Sequence, residues 1–261
     1  PVKFLPTTSH AKISNAFPYN YGRSVDMHVV KTLLRCDEEF DFSFGGSTLN
    51  MLATSTVESG DRYVVMKQHG TIFVMKHKRY DVDLMDIGHQ FERLVCGRGL
   101  QFTDADYRSN YHAQSATVAG FRTLFIAEVD GYDKSEHSPV EMKTGNPRYL
   151  FQPKLALQMA SSGSCALIQG VKSRDQKRLD DILCVSLREC FQRAGTKEEW
   201  RDFNRQLEEN MGKLHAATTR IPEDVLFELQ FRRGSLHLKD INRETDIKFL
   251  ASSSVATQLL A

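Results

Sequence analysis

A mixed α/β fold, with a largely antiparallel sheet core flanked by helices, is predicted for this 261-residue chain by three observations. Two pairs of β-rich runs flank short glycine-containing turns. Two segments repeat apolar residues at helical spacing, and short apolar strands fall between them without a regular strand–helix–strand order. With 41% hydrophobic residues and 16 phenylalanines, the chain can bury a sizeable core. No linker or repeat divides it, so one domain over residues 1–261 is the simplest expectation.

Taken in order, residues 1–24 scatter aromatics without a period and read as an irregular arm. A helix is expected around residues 27–40, MHVVKTLLRCDEEF. Residues 63–78, YVVMKQHGTIFVMKHK, hold two β-rich runs around Gln68-His69-Gly70, a hairpin signal. Within residues 83–97, Leu84, Ile87, Phe91 and Val95 recur every three or four positions. That spacing predicts an amphipathic helix ended by Gly97.

Strands are expected at 123–130, 139–144, 165–173 and 182–187, with a helix near 152–161. Residues 196–217 read as a long helix, with Thr196 as N-cap and Trp200, Phe203, Leu207 and Leu214 on its apolar stripe. Residues 225–240 are a second hairpin turning near Arg233-Gly234. The last sixteen residues, DIKFLASSSVATQLLA, suggest a short strand and a helix.

Charge and cysteines narrow the function classes. A net charge of +1 gives no global basic field, so any polyanion site must be local. The five cysteines, Cys36, Cys96, Cys165, Cys184 and Cys190, form no CxxC pair. Reduced, buried thiols of an intracellular protein are expected, without a zinc site. No apolar run is long enough for a membrane span and no signal core is present, so no membrane partner is expected. Nucleus and cytoplasm are both compatible. The chain begins at Pro1, which leaves room for residues upstream.

The stretch IAEVDGYDKSEHSPVEMKTG, residues 126–145, concentrates the chemistry. Side chains alternate faces along a strand, so Glu128 and Asp130 share one face, as do Glu141 and Lys143. Paired across the intervening loop, the two strands would lie about 4.8 Å apart and bring three acids and a lysine together. Crowded carboxylates repel, and one protonates unless a cation intervenes. Mg²⁺ or Mn²⁺ suits such oxygen ligands, and the lysine can then orient water or offset phosphate charge. The bland alternative is a solvated strand face with surface salt bridges. An acid–spacer–Glu-x-Lys pattern arises by chance roughly once in a chain of this size, so more residues must decide. Gly88 and Glu92, one helical turn apart, add a further carboxylate.

Together these residues resemble the decapping exoribonuclease (DXO) family of the PD-(D/E)xK nuclease superfamily. Gly88-His89-Gln90-Phe91-Glu92 resembles its G-x-x-x-E motif, Glu128-Val129-Asp130 its E-h-D motif and Glu141-Met142-Lys143 its E-h-K motif. Gln158, four residues after Lys154, resembles its helical glutamine. The resemblance spans roughly residues 40–255.

It implies a PD-(D/E)xK nuclease-like fold and two divalent ions, Mg²⁺ or Mn²⁺, held by Glu92, Glu128, Asp130, Glu141 and the Met142 backbone carbonyl. Glu128, Asp130, Glu141 and Lys143 would be the catalytic set, with Lys143 positioning the water and Gln158 touching the substrate. The implied activity is hydrolysis at RNA 5′ ends in RNA quality control: removal of pyrophosphate, incomplete caps or NAD caps, and 5′→3′ degradation. RNA 5′ ends are the implied partner, and a 5′→3′ exoribonuclease is a compatible protein partner.

One motif departs. Glycines stand at 45 and 46, where the family carries an arginine, and a positive φ is one reason for glycine there. Arg122, Lys154, Lys172 and Arg174 are alternative phosphate contacts. Two rivals follow: a DNA-directed nuclease of the same superfamily, and a non-catalytic RNA 5′-end-binding paralogue.

Overall fold

A computed structural model describes residues 4–5, 39–68, 70–78, 87–97, 111–133, 138–174, 178–223 and 225–241. The expected helix at 27–40 lies outside the described residues except for its last two positions, which are not helical. The predicted C-terminal strand and helix also lie outside them. The chain forms two compact units, each assembled from three segments. The first holds residues 1–19, 81–114 and 127–197; the second holds 20–80, 115–126 and 198–261.

The first unit is built on a five-stranded sheet. Its strands are β1 (Phe4–Leu5), β7 (Gly131–Asp133), β8 (Ser138–Gly145), β9 (Ala166–Lys172) and β10 (Leu179–Ser186), in the order β1-β7-β8-β9-β10. Strand β1 pairs Phe4 with Asp133, so the arm read as irregular contributes a short strand. Strands β8 and β9 are parallel, and the other pairs are antiparallel. A parallel pair needs a crossover, here α3 (Pro147–Leu150) and α4 (Pro153–Ser162). Proline at the start of each helix costs no hydrogen bond, because the first amides of a helix have no internal partner. Gly163, at φ 72°, ends α4 with a left-handed cap.

Helix α2 (Ile87–Val95) is the amphipathic segment of the first unit. Phe91 packs with Cys96, Val140, Met142 and Ile168 in one buried cluster. Gly97 follows with φ 69°, as its position past the helix predicts. Behind β10 comes α5 (Leu187–Ala194), which the strand reading of 182–187 stopped short of. Its signal is a capping box: the Ser186 hydroxyl accepts from the Glu189 amide while Glu189 accepts from the Ser186 amide.

The second unit carries most of a seven-stranded sheet. In chain order these strands are β2 (Phe42–Phe44), β3 (Asp61–Gln68), β4 (Thr71–Lys78), β5 (Tyr111–Val118), β6 (Phe121–Glu128), β11 (Phe227–Arg232) and β12 (Ser235–Asp240). They run β12-β11-β3-β4-β2-β6-β5, with β2 parallel to both its neighbours. Both predicted hairpins are present, β3–β4 and β11–β12. Arg233 and Gly234 both take positive φ, 52° and 76°, the conformation a tight two-residue hairpin turn demands.

Helix α6 (Lys197–Thr218) buries Leu207, Met211 and Leu214. Asn210 on it donates to the Leu52 carbonyl, closing the end of α1 (Gly46–Thr54). The segment carrying Gly45 and Gly46 is therefore the start of a helix. Gly45 sits at φ −100°, so positive φ is not the reason for glycine; a Cβ there would instead meet the Ile126 carbonyl at 3.3 Å.

Two expectations are corrected. Strand β6 ends at Glu128 and lies in the seven-stranded sheet, so it does not pair with β8. Two residues later the chain starts β7, and that strand pairs with β8, Gly131 facing Val140. The loop treated as a simple connection thus contains a strand of its own. Cys184 is exposed rather than buried, although Cys96 and Cys190 are buried as expected. Among the described residues no helix is long and apolar enough to cross a membrane.

Gly170 packs against the face of Phe91, where an added Cβ would meet the ring and Leu179 at 3.1 Å. Gly170→Ala is expected to cost about 1–3 kcal/mol by overpacking, read from urea unfolding midpoints. Phe91→Leu combined with Gly170→Ala should recover part of that loss.

Candidate metal centre

Strand β8 presents two opposed faces. Val140 and Met142 are fully buried in the cluster with Phe91, while Glu141 and Lys143 point the other way. Helix α4 covers that second side, its Leu155 and Met159 packing with Leu167, Val185 and Cys190. Gln158 lies on the same helical face as Leu155 and Met159, three positions after one and just before the other. Its amide nitrogen accordingly donates to Glu141 Oε1 at 2.7 Å.

The acids reach this place by three routes. Glu92 follows the anchored Phe91 on α2. Glu128 closes β6 and is exposed. Asp130 precedes β7, whose Gly131 allows a close approach: a Cβ there would fall 2.3 Å from the Met142 methyl. Asp130 Oδ2 accepts from the Met142 amide at 2.9 Å and from Lys143 Nζ at 3.2 Å. The Asp130 carbonyl accepts from the Cys96 thiol.

Lys143 is the hub. Its ammonium lies 2.5 Å from Glu141 Oε1, 3.2 Å from Asp130 Oδ2 and 3.1 Å from the Met142 carbonyl. Burial works against its charge, but Asp130 and Glu141 outweigh that and raise its pKa above the usual lysine range. Lys143 is therefore held as an ammonium, a donor and not a base. Glu141, 1% exposed, is pushed up to about 7 by burial, with Asp130 adding to the rise and Lys143 opposing it. Glu92 is pushed up to about 9 by burial and then by Asp130, against the pull of Lys143; Glu128 and Glu141 add to the rise.

The sequence-selected Glu92, Glu128, Asp130, Glu141 and Lys143 thus share one electrostatic neighbourhood in the first unit, and Gln158 contacts it directly. Among the described residues no three His, Cys, Asp or Glu side chains are grouped so as to hold a metal ion. Lys143 contacts Asp130 Oδ2, Glu141 Oε1 and the Met142 carbonyl, so these three oxygens serve the ammonium. The donor set nonetheless fits hard divalent cations. It consists of oxygen ligands only, and burial with mutual repulsion raises two of its carboxyls, leaving the site short of positive charge.

Of the alternative phosphate contacts, Lys154 and Lys172 are half-buried and Arg174 is exposed in the first unit. Arg122, in the second, lays its guanidinium over the Phe40 ring. Gln158, expected to touch the substrate, donates its amide nitrogen to Glu141. Sequence reasoning missed Gln169 on β9, which is 0% exposed and donates to the Gly145 carbonyl. Its signal was a lone amide inside the apolar run CALIQGV.

The fold is that of the Rai1/Dxo1 proteins, the decapping exoribonucleases whose motifs the sequence resembles. Rai1 from S. pombe matches with a TM-score of 0.64 at 14% identity, over 91% of each chain. Candida albicans Rai1 in complex with pU5-Mn²⁺ matches at 0.59 and 12% identity, over 98% of this chain and 85% of that one. K. lactis Dxo1 in complex with manganese matches at 0.59 and 12% identity, over 88% and 76%. No family model and no curated protein matches the sequence.

The raised carboxyls fix a pH dependence. Folded protein retains protons that the unfolded chain releases near pH 4.5, so this contribution to metal-free stability is full below about 4.5. It is lost as pH rises through about 7 for Glu141 and about 9 for Glu92. Melting in EDTA should accordingly show a lower Tm at pH 9 than at pH 5, and Glu92→Gln should flatten the upper part of that fall.

Proposed function

We propose that this chain is a divalent-metal-dependent hydrolase of RNA 5′ ends. It removes pyrophosphate, incomplete caps or non-canonical caps such as NAD, and degrades the exposed RNA 5′→3′. The observation that carries this reading is the gathering of Glu92, Glu128, Asp130 and Glu141 around Lys143, on a fold whose solved relatives include a complex with pU5-Mn²⁺.

Glu92, Glu128, Asp130, Glu141 and the Met142 carbonyl would hold two ions, Mg²⁺ or Mn²⁺, which when bound polarise the phosphate and acidify a water. Lys143, fixed as an ammonium, donates hydrogen bonds to the attacking water and to phosphate oxygens, offsetting charge that develops there. Gln158 orients Glu141 through its amide and turns its remaining hydrogen-bonding capacity to the substrate. Lys154 and Lys172 supply positive charge toward the RNA backbone.

One observation favours a second reading, a non-catalytic RNA 5′-end-binding protein. Lys143 satisfies Asp130, Glu141 and the Met142 carbonyl without any cation. Product analysis across monophosphate, triphosphate, capped and NAD-capped RNAs, with 5′-phosphorylated DNA alongside, decides between the readings. Hydrolysis that depends on Mg²⁺ or Mn²⁺ is expected on RNA. Binding without product would establish the second reading, and cleavage of DNA alone would redirect the first.

Lys143→Ala should lower kcat on 5′-triphosphorylated RNA by on the order of 10²-fold or more, with KM changed only a few-fold. A role limited to a salt bridge would leave kcat nearly intact. Mg²⁺ should also raise the wild-type Tm by binding the folded state, and Glu92→Gln should remove most of that rise. Calorimetry with and without EDTA reads both effects.

A further inference from the structure

We infer that Gln169 is a positioning residue for Lys143, supplying the acceptor that its ammonium takes up when cations claim Asp130, Glu141 and the Met142 carbonyl. The inference rests on the proposed metal centre and deepens it.

The three acceptors of Lys143 are Asp130 Oδ2, Glu141 Oε1 and the Met142 carbonyl. All three belong to the proposed ligand set. A cation that draws on those lone pairs removes every acceptor seen for the ammonium. A half-buried ammonium cannot be left without partners, since an unpaired charge away from water is among the costliest arrangements a fold can hold. The lysine then needs other acceptors, and a neighbouring side chain can supply one beside the water and phosphate it serves in the proposed reaction.

Gln169 stands in that position. Strands β8 and β9 are parallel and in register, with Lys143 directly opposite Gln169. Neighbours in such a pair project on the same side of the sheet. Gln169 is 0% exposed, and its Nε2 donates to the Gly145 carbonyl at 3.2 Å. That bond fixes which end of the amide is which, because only the nitrogen can donate to a carbonyl. The opposite end, Oε1, is buried and has no hydrogen-bond partner among the described residues. An orphaned buried carbonyl oxygen is costly to a fold, so its retention calls for a reason. A second state in which Lys143 donates to it supplies one. The amide is neutral and so does not compete with the carboxylates for the cation, whereas a fifth acid would.

The test compares wild type with Gln169→Met, which keeps the volume and apolar packing but removes the acceptor. Mg²⁺ affinity is read by calorimetric titration, and melting in EDTA controls for folding. Gln169→Met is expected to bind Mg²⁺ roughly tenfold or more weakly, the loss of one charge-assisted hydrogen bond, while its Tm in EDTA stays within a few degrees of wild type. The ¹⁵N resonance of the Lys143 ammonium should shift on Mg²⁺ addition in wild type and broaden into solvent exchange in Gln169→Met. Undiminished Mg²⁺ affinity and an unchanged lysine resonance in folded Gln169→Met would overturn the role of Gln169 alone. A wild type that gains no stability from Mg²⁺ and binds none would overturn the metal centre itself, and this inference with it.

Discussion

The ammonium of Lys143, held between Asp130 and Glu141, is the interaction on which the candidate site depends. It joins three elements at one atom: β8 through its own backbone and Glu141, the entry to β7 through Asp130, and α4 through Gln158 on Glu141. The start of β7 is placed by the close approach of Gly131 to Met142 on the far side of that strand, and α4 by Leu155 and Met159 against Leu167, Val185 and Cys190 on the Glu141 side. Met142 and Val140 can be wholly buried because Glu141 and Lys143, one residue out of phase, take the polar side. Alternation along four residues thus sets both the core and the chemistry.

The charges do not balance, and that imbalance gives the site its character. Four acids meet one lysine in a largely dry setting, so mutual repulsion must be relieved by protons or by added cations. Burial is the larger cause of the raised pKa values of Glu92 and Glu141, and repulsion from the neighbouring acids adds to it. Cation binding at such a site displaces protons, so the two forms of neutralisation compete. A site poised in this way binds divalent ions more tightly as pH rises, the opposite direction to its metal-free stability.

Much of this was legible in the sequence, for physical reasons that differ by element. The hairpins at Gln68–Gly70 and Arg233-Gly234 are fixed by local turn chemistry, and α2 by an apolar stripe ending in Gly97. Such signals are contained within a few residues. The motif acids were also legible, since their alternation with apolar residues survives whatever strand they pair with. The partner of β8 was not. Glu128 and Asp130 look like one continuous strand face, yet β6 stops at Glu128 and β7 begins at Gly131. Beyond the break Gly131 comes up close against Met142, and that approach joins residues eleven apart in sequence. Helix α5 was a different failure, because its Ser186–Glu189 capping box is a local signal that the strand-like run before it obscured.

The glycines at 45 and 46 show how a motif can be absent without leaving a gap. Gly45 caps α1 in an extended conformation, with the Ile126 carbonyl where a side chain would emerge. Gly46, Thr48, Leu49, Met51, Leu52 and Ala53 are all buried, so α1 is covered nearly all round. Such a helix belongs to the core, and a guanidinium on its first turn would have to be buried with it. Packing, not backbone strain, is thus what disfavours arginine here. The nearby Arg62 offers no substitute, because it is itself buried and committed to Glu228 at 2.8 Å. Any grip on a 5′ phosphate must come from charges that remain partly in water, and in the unit that carries the acids these include Lys154, Lys172 and Arg174. A half-exposed lysine offers a hydrated point charge without the bidentate fork of arginine. Recognition built on such groups is more sensitive to salt and less selective for phosphate geometry, while leaving the buried Lys143 and its acids untouched.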